Sequence, residues 1–128
     1  MKRKLLWFIV VLGVLLPGLA SSAVTEEYFM VKTTRNLINL CTASPQDQHY
    51  GDAIHFCHGY LVGAYHYSIA ASSNDPKKSL VCFSEPKPTR NQSIDMFVAW
   101  TMKHPQFMTE MPVDTEFRFL TEKWPCKQ

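Results

Sequence analysis

Four cysteines are the side chains whose type and number imply the most chemistry: Cys41, Cys57, Cys82 and Cys126. Structural zinc sites typically contain a close pair such as C-x2-C, and thiol oxidoreductases use C-x-x-C. Neither spacing occurs here, because the cysteines are 16, 25 and 44 positions apart. An even number of cysteines in a small secreted domain is typical of disulfides that compensate for a limited core. We therefore expect two disulfides, with no zinc site and no reactive thiolate.

The histidines His55, His58 and His66 form a second candidate group, since they fall within about 80° of arc on a helix. Histidines one helical turn apart can hold a metal ion. However, no glutamate accompanies them as in H-E-x-x-H, and His66 lies about 12 Å along the axis from His58. We expect this face to contact solvent, with a metal site or a proton-sensitive contact face as the alternatives.

Nucleophilic catalysis has little support in the sequence. The chain has no G-x-S-x-G elbow, and its cysteines are assigned to disulfides. We predict a binding protein that is not an enzyme and needs no metal or other cofactor.

The N-terminal residues have the pattern of a signal peptide. Residues 2–4 are basic, Leu5–Leu16 is apolar, and the small residues 21–23 form a cleavage site. A membrane anchor is the alternative, but a span needs about 20 apolar residues. We predict cleavage after Ala23 or Ala20, no membrane span afterwards, and residues 24–128 as one exported domain.

The charge balance excludes one class of partner. The signal peptide holds three of the 13 basic residues, so the remainder carries 10 basic against 11 acidic residues. Nucleic-acid binding requires a basic stripe that recruits phosphates. We predict no nucleic-acid binding.

Apolar spacing and the positions of proline and glycine predict an all-α domain, a small disulfide-stapled four-helix bundle. Thr89 and Gln92 fit a capping box at the start of the third helix. The predicted helices run from about Glu26 to Cys41, about Asp52 to Ala71, Thr89 to about Lys103, and about Pro112 to Trp124.

The inner faces follow from the same spacing. Gly59 and Gly63, one turn apart, predict a narrow groove that admits another backbone. The predicted inner stripe of the first helix is Met30, Thr34, Leu37 and Cys41. The predicted inner stripe of the fourth helix is Val113, Phe117, Leu120 and Trp124.

Antiparallel packing favours one disulfide pairing among the three that four cysteines allow. A short loop after the first helix brings Cys41 near Cys57. A hairpin of the last two helices places Cys82 and Cys126 at the same end. Closing these loops contributes roughly 3 and 4 kcal/mol at most, so reduction is expected to unfold the domain or nearly so.

Several short motifs occur in a specific order. Cys57-x-Gly59-Tyr60-Leu61-x-Gly63 follows a helix that ends at Cys41, and Cys82 precedes a loop containing Pro86. The third helix stops at His104-Pro105, and Trp124-Pro125-Cys126 closes the pattern. Over residues 33–126 this order resembles the Rap/Tai family of periplasmic immunity proteins. In that pattern Gly59, Tyr60, Gly63 and Pro125 are structural residues.

The resemblance implies a helical protein that binds and blocks a toxin of a type VI secretion system, in studied members a cysteine amidase that cuts cell-wall peptides. Such proteins are often homodimers, and a helix and a protruding loop plug the effector's active-site cleft. Helix three carries Met96, Trp100 and Met102 outside the face formed by Ile94, Phe97, Val98 and Thr101, which predicts a second buried surface, covered either by a partner or by the rest of the bundle. This apolar surplus and the loop Phe107–Met111 agree with this mode of binding. The expected partner-binding residues are Trp100, His104, Phe107 and Met108.

The chain also departs from the family pattern. His66 stands where the family commonly has aspartate, and the fourth helix carries Asp114, Glu116 and Phe117 where small residues are common. Glycine, tyrosine and cysteine transfer a scaffold better than they transfer a partner. The alternative function is a periplasmic acid or stress chaperone, because five histidines would suit a proton switch between pH 5 and 7. Two disulfides oppose the partial unfolding that such chaperones need.

Overall fold

The computed structural model describes residues 23–127, so the predicted signal peptide, apart from Ala23, lies outside the described residues. Four α-helices follow one another: α1 (Thr34–Cys41), α2 (Tyr50–Ser72), α3 (Arg90–Met102) and α4 (Pro112–Lys123). Within the described range there are no strands beyond an isolated antiparallel bridge between Val81 and Pro125. The predicted all-α fold is confirmed. None of the helices in this range is both long and apolar enough to cross a bilayer.

The predicted first helix is wrong as one continuous element. A short 3-10 helix, Glu26–Met30, ends at Val31, whose φ of 46° is left-handed, and α1 begins only at Thr34. Thr33 and Asn36 form a capping box that fixes this second start. The break removes Met30 from the inner stripe and leaves its side chain exposed.

The third helix begins as predicted. Thr89 caps α3 by accepting from the Gln92 backbone N–H, while the Gln92 side chain accepts from the Thr89 N–H. A threonine followed by a glutamine three positions later therefore identified this boundary from sequence alone.

The core lies where α1 and α2 pack on the α3–α4 pair. Its largest fully buried side chains include Leu37 and Leu40 of α1, Cys57 of α2 and Phe97 of α3. The other buried apolar residues are Val24, Val31, Ile38, Ala43, Ala53, Leu61, Ile94, Met108, Phe119, Leu120 and Trp124.

The predicted inner face of α4 is partly wrong. Leu120 and Trp124 are buried, but Val113 and Phe117 are only half-buried. The residues buried within the helix are Pro112, Thr115, Glu116, Phe119 and Leu120. The apolar pattern missed this face because two of its members, Thr115 and Glu116, are polar.

Both predicted disulfides are present. Cys41–Cys57 joins the end of α1 to α2, and Cys82–Cys126 joins the segment before α3 to the C-terminal segment. Beside the second disulfide, the Cys82 N–H donates to the Trp124 carbonyl at 2.9 Å. The backbone therefore pairs at the same place where the sulfurs do.

The predicted close packing at the glycines is absent from residues 23–127. Gly59 and Gly63 are exposed, and a Cβ placed on either would meet no atom within 4 Å. The side of α2 that faces the core carries Cys57 and Leu61 instead.

The loop between α3 and α4 is fixed to the start of α1. The N–H groups of Thr34 and Arg35 donate to the carbonyls of Glu110 and Met108, at 2.8 and 2.9 Å. The first N–H groups of a helix have no partner within the helix, so the loop supplies the acceptors they need. Beneath the loop, the fully buried hydroxyls of Thr34 and Thr115 are hydrogen-bonded at 2.8 Å.

We predict that Thr34→Val and Thr115→Val each lower the free energy of unfolding by about 1–3 kcal/mol, because each leaves a buried hydroxyl without its main partner. The double variant should lose less than the sum, since both partners then become apolar. Guanidinium denaturation with the disulfides intact measures this. Thr121→Val is the control, because the Thr121 hydroxyl bonds only to backbone carbonyls of its own helix. Strictly additive losses would contradict the coupling.

Candidate partner-binding site

Three of the sequence-predicted partner residues form one stacked group, here called the aromatic platform: Trp100, His104 and Phe107. The Trp100 and His104 rings stack with centroids 4.0 Å apart, and Trp100 and Phe107 stack at 5.6 Å with planes 8° apart. All three side chains are half-buried. Trp100 belongs to α3, whereas Phe107 ends the 3-10 helix Pro105–Phe107 in the following loop. The chain reversal at His104-Pro105 therefore assembles the platform.

Hydrogen bonds orient two of its rings. His104 Nδ1–H donates to the Trp100 carbonyl at 2.7 Å, which fixes the tautomer because a carbonyl can only accept. Trp100 Nε1–H donates to Glu122 Oε1 of α4 at 3.2 Å. The second imidazole nitrogen of His104 is thus left as an acceptor in the neutral ring.

A charged pair borders the platform. The Arg118 guanidinium lies 5.1 Å from the centre of the Phe107 ring, and its Nε donates to Glu110 Oε2 at 3.1 Å. Exposed ion pairs and cation–π contacts each contribute about 1 kcal/mol or less. Their main effect here is to hold a cation at a fixed place beside exposed aromatic surface.

Exposed methionines extend the apolar surface on either side of the loop. Met102, at the end of α3, is 61 % exposed, and Met111, just before α4, is 59 % exposed. Aromatic residues, methionine and arginine are the types enriched in protein–protein interfaces. The end of the α3–α4 hairpin therefore has the composition of a partner-binding surface.

Met108, the fourth predicted partner residue, has a different position. It is only 6 % exposed and belongs to the core cluster. Its side chain holds the loop from below, while its carbonyl accepts from Arg35. Met108 therefore supports the platform rather than forming part of its surface.

The histidine face of α2 lies apart from this site. His55 and His66 are exposed and His58 is half-buried. Among residues 23–127, no group of three or more His, Cys, Asp or Glu side chains is placed to hold a metal ion.

The predicted structural residues have distinct environments. Tyr60 is half-buried, and burial together with the charge of Glu116 raises its pKa. Pro125 forms the bridge to Val81. Gly59 and Gly63 remain open to solvent.

Sequence reasoning noted Glu116 only as a departure from the family pattern and did not predict its burial. It is 4 % exposed, and its Oε2 atom is buried with no hydrogen-bond partner among residues 23–127. Burial raises the pKa of this carboxyl to about 8, because a low-dielectric surrounding disfavours the ionised form. A glutamate between Thr115 and Phe117 on an amphipathic helix carries no signal of burial unless the neighbouring helices are placed.

The model of one protein family, described as Rap1a immunity proteins, matches residues 33–126. The match covers α1 to α4, both disulfides and the aromatic platform. No curated protein and no solved structure matches the chain.

We predict that the free energy of unfolding falls as the pH rises from about 5 to about 8. The folded state keeps a proton on Glu116 up to pH of about 8, whereas the unfolded chain releases it above about pH 4.3. Glu116→Gln should remove this slope and raise stability at pH 8 by on the order of a few kcal/mol.

Denaturation of wild type and variant at pH 5, 6.5 and 8 provides the measurement. The control is Glu27→Gln, the same chemical change at an exposed glutamate of the 3-10 helix Glu26–Met30. Parallel pH profiles for wild type and Glu116→Gln would show that Glu116 does not titrate in this way.

Proposed function

Because the chain belongs to the Rap1a immunity protein family, we propose that it binds an effector of a type VI secretion system and blocks it, with no catalysis of its own. We propose further that the effector is a cell-wall amidase. The observation that carries the proposal is the aromatic platform, which presents apolar and charged groups on a loop fixed to the body of the domain.

The fixed loop suits inhibition by insertion. Two backbone hydrogen bonds to α1 and the buried Met108 side chain hold the loop before a partner arrives. A surface that is already ordered loses less conformational entropy on binding than a mobile one. A narrow active-site cleft would therefore accept the Trp100–Phe107 end of the hairpin without refolding it.

The stacked aromatic rings also fit the energetics of protein interfaces. A few tryptophan, tyrosine and arginine residues usually carry most of the binding energy. Trp100 and Arg118 flank the Phe107 ring. The Trp100 indole is hydrogen-bonded to Glu122 of α4, and the Arg118 guanidinium is hydrogen-bonded to Glu110 of the loop. We place the centre of the interface on Trp100 and Phe107, with His104, Met102 and Met111 around them.

We predict that Trp100→Ala and Phe107→Ala each weaken binding to a cognate amidase effector by about 30-fold or more, the usual loss at a central aromatic residue. Calorimetry with purified effector measures affinity, and release of peptides from peptidoglycan measures inhibition. Tyr67→Ala is the matched control, because Tyr67 is an exposed aromatic residue of α2, 76 % exposed. Wild-type affinity in both folded platform variants would remove these positions from the interface.

We also propose that the protein is exported to the periplasm and that its leader is removed after Ala23. Two disulfides support an oxidising compartment. The surroundings of Val24 support the cleavage position. Val24 is buried, and its backbone N–H donates to Asp47 Oδ2 at 2.8 Å. Cleavage would turn this amide into an ammonium group directly beside a carboxylate.

The surroundings of Asp47 favour its ionised form, which an ammonium group would pair with. The hydrogen bond from Val24 and a second one from the His49 N–H hold the pKa of Asp47 below its usual value. We predict that Asp47→Asn lowers the melting temperature more in protein that begins at Val24 than in protein that retains Ala23, because only the former contains the ion pair.

N-terminal sequencing of periplasmic protein tests the cleavage position. Thermal melts test the ion pair, with wild type and Asp47→Asn each measured in protein that begins at Val24 and in protein that retains Ala23. The control is Asp52→Asn, an exposed aspartate in the first turn of α2. A first residue other than Val24, or equal losses in the two backgrounds, would refute the proposed cleavage and ion pair while leaving effector binding untouched.

A further inference from the structure

A cavity of about 200 Å³ lies between α2, α3 and α4, on the other side of Phe119 from the aromatic platform. Phe119 lines the cavity and also packs against Trp100, with ring centroids 5.9 Å apart. Most of the lining is apolar, and Leu61, Phe83, Ile94 and Phe97 contribute to it. Arg90 and His66, both exposed, complete the lining on the solvent side.

Glu116 is the buried polar group of this cavity. Glu116 lines the wall, and its Oε2 atom is fully buried with no hydrogen-bond partner within residues 23–127. Buried polar atoms in native proteins are nearly always paired, so an orphaned carboxyl oxygen on a residue that lines a cavity indicates a missing partner. The exposed Arg90 guanidinium remains hydrated, whereas the buried Glu116 carboxyl has lost its hydration shell. The Glu116 carboxyl therefore determines which class of ligand the cavity binds.

We propose that the cavity binds a small primary amine on an apolar body, with the ammonium group donating to the Glu116 carboxylate. A 150 Å³ apolar cavity accommodates benzene, so this cavity has room for roughly one aromatic ring and a short chain. The body would lie against Phe97 and Phe119, and the head against Glu116. A carboxylate or phosphate ligand would gain no ion pair from Glu116, because this carboxyl is neutral below about pH 8 and carries like charge above it.

The titratable groups around Glu116 define how binding should depend on pH. Tyr60 of α2 faces Glu116, and the charge of Glu116 raises the pKa of Tyr60. His66 of α2 and Arg90 of α3 line the cavity. Asp114 of α4 lies near Tyr60. Glu116 alone among these both lies in the wall and is buried. In the free protein its pKa is about 8.

Binding therefore exchanges one proton. The neutral carboxyl of Glu116 and the ammonium ion become a carboxylate–ammonium pair, and the carboxyl proton goes to solvent. Affinity for an amine should rise about tenfold from pH 6 to pH 7 and less steeply towards pH 8, following the ionised fraction of Glu116. A neutral ligand of the same shape should show no such rise.

The test is calorimetric titration of phenethylamine into disulfide-intact protein purified from the periplasm, at pH 6, 7 and 8. We expect the tenfold rise, and heats at pH 7 that change with the ionisation enthalpy of the buffer as expected for release of about one proton. Phenethyl alcohol, which matches the amine in shape, should bind more weakly and independently of pH. Absence of binding by the amine at millimolar concentration, or equal pH profiles for amine and alcohol, overturns the proposal.

Variants locate the site. Glu116→Gln should bind phenethylamine at least tenfold more weakly at pH 8 and should bind the alcohol as wild type does, which also shows that the cavity is intact. Glu27→Gln, at an exposed glutamate of the 3-10 helix Glu26–Met30, should leave both affinities unchanged. Equal amine affinity in Glu116→Gln and wild type refutes the role of Glu116 even if the amine binds elsewhere.

The same ammonium head can come from a free amine or from a lysine side chain of a protein partner. N-acetyl-lysine methylamide, titrated under the same conditions, distinguishes the two sources. Tighter binding of phenethylamine than of the lysine derivative assigns the cavity to a free amine, and the reverse order assigns it to a lysine. Effector affinity is measured separately, so failure of amine binding leaves the proposed inhibitory function unaffected.

Discussion

The first turn of α1 needs hydrogen-bond acceptors, and the chain supplies them from a loop whose Glu110 lies 76 positions after Thr34. The carbonyls of Met108 and Glu110 accept from that turn, and the hydroxyls of Thr34 and Thr115 join α1 to α4 beneath it. This junction positions the α3–α4 loop and thereby the rings of Trp100 and Phe107. Without it, the last two helices would have only side-chain packing to set their place on α1.

The two disulfides act on different parts of this arrangement. Cys41–Cys57 links α1 to α2 in the first half of the domain. Cys82–Cys126 links the segment before α3 to the segment after α4, and both cysteines lie far in sequence from the α3–α4 loop. The loop itself is held without a covalent link, by its hydrogen bonds to α1, the Arg118–Glu110 pair, the buried Met108 side chain and the stacking of Phe107 on Trp100. Covalent and noncovalent restraints therefore stabilise the fold together, because a domain of this size buries only a modest core.

Glu116, in contrast to the disulfides, lowers the stability of the fold. Its buried carboxyl has no partner in the described part of the chain and therefore destabilises the folded state, and the proton that it keeps at neutral pH reduces this penalty without removing it. The cavity beside it removes further packing contacts. A fold stabilised by two disulfides can tolerate such a group, and carboxyls with strongly perturbed pKa values cluster at functional sites.

The sequence alone determined the all-α class, the start of α3 at Thr89 and the presence of two disulfides, which follow from helical periodicity, capping residues and the number of cysteines. The disulfide pairing needed the antiparallel packing of the helices as well, and the platform residues were expected from the family resemblance. Tertiary structure decided the break at Val31, the buried face of α4, the place of Met108 in the core and the burial of Glu116. The physical reason is that burial and hydrogen-bond partners belong to the neighbouring helix. A polar residue on an amphipathic helix has no fixed environment until that neighbour is in place.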